Sequence, residues 1–123
     1  MKIGNWDLDK DILVVAEIGN NHEGSYALAE ELVGLAAQAC VGAVKFQTIV
    51  PEKLVSSSQK DRIQQLSRFR LSQEEFKKLN KLAEDEKVLF LSTPFDIESV
   101  HFLDRLVPAF KISSGDNNFF PLI

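Results

Sequence analysis

Ala43-Val44-Lys45-Phe46-Gln47-Thr48 is the stretch whose reading decides how this chain is built. It is short and rich in β-branched and aromatic residues, and its polarity alternates from Val44 to Gln47, so it reads as a strand. Successive strand side chains point to opposite faces. Val44 and Phe46 therefore share an apolar face, and Lys45 and Gln47 share a polar one. The apolar face asks for a covering layer. The polar face carries an ammonium that is costly to bury without a partner.

Working outward, the same unit recurs along the chain. Before it, Ile12 to Ile18 reads as a buried strand that ends at Gly19. Gly19-Asn20-Asn21-His22-Glu23-Gly24 has loop chemistry. Ser25 can cap a helix over Tyr26 to Ala39, whose apolar face is formed by Leu28, Leu32, Leu35, Ala36 and Ala39. After it, Pro51 to Arg70 is polar and less regular, and Ile63, Leu66 and Arg70 allow a short helix. Ser72 and Glu75 form a capping box, flanked by Leu71 and Phe76 as a hydrophobic staple. Phe76, Leu79, Leu82 and Ala83 are that helix's buried face. Val88 to Ser92 is the third strand, stopped by Pro94. Asp96 caps a helix carrying Val100, Leu103 and Leu106. Pro108 precedes a fourth strand, Ala109 to Ser113, and Gly115 opens a turn. Strands alternating with helices imply an α/β fold with a parallel sheet and helices outside it. A complete eight-fold (β/α) barrel of the TIM type needs about 250 residues. The expectation is such a barrel truncated to about four β/α units, with residues 1–123 forming its amino-terminal half.

Strand parity gathers the polar residues. Val15 and Glu17 share a face, as do Lys45 and Gln47, Leu91 and Thr93, and Lys111 and Ser113. Val14, Ala16, Val44, Phe46, Phe90, Phe110 and Ile112 point the other way. In a barrel the second face meets the helices and the first meets the axis. The axis then receives Glu17, Lys45, Gln47, Thr93 and Lys111 near the carboxyl ends of their strands, where barrel enzymes place their active sites. An anionic ligand gives two strand-borne lysines a reason to be there, since a lysine suits phosphate or carboxylate. Ser113 and Ser114 add hydroxyls. The plainer alternative is a structural ion pair between Lys45 and Glu17. Glu17 itself reads either as a buried partner or as an acid–base group.

Composition narrows the class. The chain has 123 residues, 45% hydrophobic and 26% charged, with a net charge of -4. That balance argues against a nucleic-acid partner. The single cysteine, Cys40, excludes a disulfide within the chain and reads as a buried structural thiol. No run approaches a membrane span or a signal peptide, so the expectation is a cytoplasmic protein without a membrane partner. Trp6 is expected to pack an amino-terminal hairpin against the barrel floor. His22 reads as a local hydrogen-bonding residue and His101 as a solvent-facing one. No metal-ligand cluster is expected.

Four stretches together resemble one family. They are Ala16-Glu17-Ile18-Gly19-Asn20-Asn21-His22-Glu23-Gly24-Ser25, Val44-Lys45-Phe46-Gln47-Thr48, Leu91-Ser92-Thr93-Pro94-Phe95-Asp96, and Pro108 to Asn118. Their order and spacing are similar to those of the N-acetylneuraminate (sialic acid) synthases, including the legionaminate and pseudaminate synthases and spore-coat polysaccharide homologues. The resemblance implies a transferase that adds phosphoenolpyruvate to the aldehyde of an N-acetylated amino sugar, N-acetylmannosamine or a relative, and releases phosphate. It implies Lys45, Thr93, Lys111 and Ser114 in contact with phosphoenolpyruvate, Gln47 supporting them, and Glu17 near the reacting sugar. It also implies a homodimer and a divalent metal, manganese or magnesium, whose ligands belong to a second half-barrel. A small carboxy-terminal antifreeze-like domain is implied too. Two positions depart from the family pattern: Cys40 stands where glycine is usual, and Gly42 where an acidic residue is usual. Pro51 to Arg70 looks shorter than the family's loop, and no sugar-contacting asparagine is assigned in it.

Overall fold

A computed structural model describes all residues, Met1–Ile123. The chain opens with an antiparallel hairpin of β1 (Lys2–Ile3) and β2 (Trp6–Asp7). Then follow β3 (Val15–Gly19), α1 (Tyr26–Gln38), β4 (Ala43–Thr48), α2 (Pro51–Leu54), α3 (Lys60–Ser67), α4 (Gln73–Asp85), β5 (Leu89–Pro94) and α5 (Ile97–Leu103). A 3-10 turn spans Ser114–Asp116. The main sheet is parallel, in the order β3-β4-β5. Its register aligns Glu17 with Lys45 and Lys45 with Leu91, then Gln47 with Thr93.

The sheet has one covered face. Val44, Phe46 and Phe90 lie in a core with Ile18, with Ala29, Val33 and Ala36 of α1, and with Phe76, Leu79 and Ala83 of α4. The capping box at the start of α4 forms as the sequence predicts. The Ser72 hydroxyl accepts the Glu75 N–H at 3.2 Å, and the Glu75 carboxylate accepts the Ser72 N–H at 2.6 Å. Leu71 and Phe76 are both buried in the core beside it. Asp96 caps α5 by accepting the Ser99 N–H at 3.0 Å and the Ser99 hydroxyl at 2.6 Å. The hairpin closes the floor of the sheet. A Cβ on Gly42 would lie 2.6 Å from the Trp6 ring and 2.5 Å from Leu13, so the indole occupies the space of any side chain at that position.

Several expectations are corrected. The first strand is shorter than Ile12 to Ile18, and Ile12 is 86% exposed. The buried stripe of α1 is Ala29, Val33 and Ala36, while Leu35 is 52% exposed and Ala39 lies outside the helix as its cap. Small residues at that spacing let α1 approach the sheet closely, and larger leucines flank the contact. The third strand runs through Pro94, whose missing N–H is tolerated at a strand end. Cys40 is exposed rather than buried, and it holds φ +59°, a conformation in which glycine is favoured. The fourth strand reduces to a single bridge, Ser92 with Phe110. Pro108 offers no N–H just before it, and the segment has a strand neighbour on one side only.

Candidate active site

The face of the sheet turned away from α1 and α4 carries a row of polar groups, running from mid-strand toward the carboxyl ends. Glu17 of β3, Lys45 of β4 and Thr93 of β5 come together. The Lys45 ammonium pairs with the Glu17 carboxylate and donates to Thr93 Oγ1 at 3.2 Å. The Lys45 side chain is 13% exposed and the Glu17 side chain 52%. The cation is thus largely withdrawn from water, and its partner carboxylate is open to it. Three donor sites on an ammonium meet two protein acceptors here, which leaves room for one more.

Gln47 stands one step further along β4. Its Oε1 accepts the Asn20 side-chain N–H at 3.0 Å. The β3 ladder shifts register between Glu17 and Gly19, and Gly19 takes φ +57°. That bulge turns the chain into the β3–α1 loop and brings Asn20 over Gln47. In the sequence Asn20 reads as part of a loop. Its fixed role is this bond, for which the only signal was an amide residue directly after a strand-ending glycine.

Lys111 and Ser114 are not joined to this cluster. The bridge between Ser92 and Phe110 puts Lys111 level with Thr93 in the backbone, as parity requires. Its ammonium instead donates to the carbonyl of neighbouring Ile112, and the side chain is exposed. Ser114 lies exposed in the 3-10 turn, where its carbonyl accepts the Asn117 side chain at 3.1 Å. Ser113 accepts the Gly115 N–H at 3.3 Å.

A cavity of about 140 Å³ lies beside the row, between the carboxyl end of β4 and the starts of α4 and α5. Asn20, Gln47, Arg70, Ser72, Ser99 and Phe102 are among its lining residues, and Lys45 is not. The partly buried Lys45 cation, with donor capacity to spare, lies outside this gap toward the helices. No three His, Cys, Asp or Glu side chains form a group able to hold a metal ion. His22 is buried in the core and His101 is exposed on α5. The residues present therefore do not fit a divalent metal.

The model described as the NeuB family matches residues 32–123. The chain belongs to the NeuB family. It is 33% identical to pseudaminic acid synthase of Campylobacter jejuni, over all of this chain and 41% of that protein. It is 37% identical to an N,N'-diacetyllegionaminic acid synthase of Legionella pneumophila, over 84% of this chain and 33% of that protein. Its fold is similar to the crystal structure of N-acetylneuraminic acid (sialic acid) synthetase from Leptospira borgpetersenii in complex with citrate. That likeness has a TM-score of 0.93 at 28% identity, over 99% of this chain and 44% of the other. The chain spans less than half the length of each of these NeuB relatives.

Proposed function

We propose that residues 1–123 are the amino-terminal half of a (β/α)-barrel synthase that condenses phosphoenolpyruvate with an N-acetylated amino sugar. The new carbon–carbon bond gives a sialic-acid-type product, and phosphate leaves. One observation carries the reading: a lysine largely withdrawn from water within the central parallel strand, held by Glu17 and Thr93, with donor capacity left for an anion. In this reading Lys45 and Thr93 bind phosphoenolpyruvate and Gln47 orients the same pocket. Glu17, half-open to solvent beside the cation, exchanges a proton or a hydrogen bond with the sugar. Lys111 and Ser114 join when the segment after Pro108 is drawn against β5, since Lys111 already stands level with Thr93. No step runs through a metal here, because this chain supplies no ligand set for one.

Calorimetric titration of phosphoenolpyruvate tests the reading. Lys45→Ala is expected to weaken binding at least tenfold, the scale of one lost charge-assisted contact of about 1.5–3 kcal/mol. Unchanged affinity would leave only a structural Glu17–Lys45 pair. A comparable loss in Lys111→Ala places that lysine in the same site. The 123-residue chain alone is expected to turn over no substrate. Metal-dependent phosphate release from phosphoenolpyruvate and N-acetylmannosamine by this chain would contradict that expectation.

A second reading is a non-catalytic anion-binding half-barrel that pairs through its edges. The open outer edge of β3 favours it, with Val15 of the strand and Ile12 and Val14 just before it exposed. Light scattering after size exclusion separates the two: a monomer at high concentration excludes the paired form.

A further inference from the structure

The β3–α1 loop contains a buried imidazole for which the proposed chemistry has no use. His22 is 1% exposed and packs on Phe46 with ring centroids 5.9 Å apart. Its Nδ1 accepts the Gly24 N–H at 3.0 Å. An accepting Nδ1 carries no proton, so the neutral ring holds its proton on Nε2, which is buried without a partner. An apolar side chain would fill this core position without leaving a buried donor unmet. Retaining an imidazole there needs a reason, and the loop supplies one.

The loop is closed by its own backbone. Asn21 N–H reaches Ile18 O at 3.0 Å, Glu23 N–H reaches Asn20 O at 3.0 Å, and Ser25 N–H reaches His22 O at 2.8 Å. Gly24 holds φ +81°, and a Cβ there would lie 1.9 Å from the Arg68 carbonyl oxygen. The connection between α3 and α4 therefore presses on the loop from outside while His22 holds it from inside. Asn20, two residues before the imidazole, is the residue that holds Gln47.

We infer that His22 is a positioning residue: its buried Nδ1 fixes the loop through Gly24, so that Asn20 keeps Gln47 at the end of the Lys45 row. The inference rests on the proposed function only in assigning Gln47 to the site. A purely space-filling role requires an apolar body at this position. The positioning role requires an acceptor at the place of Nδ1.

Side-chain and backbone amide NMR of the 123-residue chain separates the two. His22→Leu removes the acceptor, and His22→Asn keeps one near the Nδ1 position. In a folded His22→Leu chain, the Asn20 and Gln47 side-chain amides are expected to move to solvent-exposed shifts, and the Gly24 amide to exchange at least tenfold faster. His22→Asn is expected to restore both. Unmoved Asn20 and Gln47 resonances in His22→Leu overturn the inference. If His22→Leu does not fold, His22→Asn decides: retained Gly24 protection with Asn20 in place supports it, and loss of both overturns it. Failure of the parent to bind phosphoenolpyruvate would overturn the proposed function and leave this inference standing.

Discussion

The two faces of the same three strands are built to different ends. The outer face is aromatic and dry. Phe46 stacks on Phe90 at 5.4 Å, and Phe76 of α4 meets both rings edge-on at 6.2 Å. The inner face carries Glu17, Lys45, Gln47 and Thr93, joined by an ion pair and hydrogen bonds. Since alternate residues of one strand serve both faces, the proposed reading separates stability from chemistry by parity and not by region. Phe46→Ala should therefore cost about 4 kcal/mol, the scale of a large aromatic deleted from a core. Lys45→Met, its immediate neighbour, should change stability by about 1 kcal/mol or less, because replacing a paired, partly buried charge by an apolar chain of like volume is often near neutral. Urea denaturation of both variants checks this. Equal losses would mean that the Lys45 row is structural, and the division between the faces would fail.

Acid sensitivity sharpens the same contrast, since two displaced titrating groups lie on the covered side. Burial lowers the pKa of His22 from the usual 6.5, against a smaller opposing pull from the Glu75 carboxylate. The unfolded chain then takes up a proton that the folded one refuses. The His22 contribution is fully present above about pH 6.5 and is lost as pH falls below it toward the lowered folded value, at up to about 1.4 kcal/mol per pH unit. Glu75 lies below its usual 4.5, chiefly because it accepts the Ser72 backbone N–H and hydroxyl. Its contribution is present above about 4.5 and lost as pH falls further. Urea midpoints measured from about pH 8 to about pH 2.5 should fall in two stages. His22→Asn should abolish the upper stage, and Ser72→Ala should weaken the lower one at a cost of about 1 kcal/mol at neutral pH. An upper stage that survives in His22→Asn would place its source elsewhere.

What the sequence disclosed follows the same physics. β4 was legible to the residue because alternation and β-branching agree over Ala43–Thr48. The start of α4 was legible because its capping box is local chemistry, needing no knowledge of the rest of the fold. The α1 face was read correctly at Leu32 and Ala36 but missed Ala29 and Val33 and included the exposed Leu35, because leucines outweigh smaller residues in any hydrophobic count. The fourth strand was overstated because parity describes side chains and says nothing about whether a ladder forms. Lys111 illustrates this: it has the right level beside Thr93, yet its ammonium rests on Ile112. The Asn20–Gln47 bond needed the bulge at Gly19, a register shift that no periodicity reveals.

Ser92 and Thr93 give the smallest and cleanest test, because adjacent hydroxyls on β5 fall on opposite faces. Ser92, fully buried on the helix side, shares a 2.8 Å hydrogen bond with Thr48. Thr93, also buried, accepts from Lys45 on the inner side. Ser92→Ala should lower stability by about 1 kcal/mol, since it strands the Thr48 hydroxyl, and should leave phosphoenolpyruvate affinity within twofold. Thr93→Val keeps the side-chain shape and removes only one acceptor from a lysine that retains Glu17. It should cost less than about 1 kcal/mol in stability, yet weaken phosphoenolpyruvate binding several-fold as Lys45 loses its fixed direction. Denaturation and calorimetry on the same two proteins read both quantities. The expected pattern is a crossing, with each variant impaired in the property the other retains. If both variants lose stability and neither loses affinity, Thr93 belongs with the core, and the inner row shrinks to Glu17, Lys45 and Gln47.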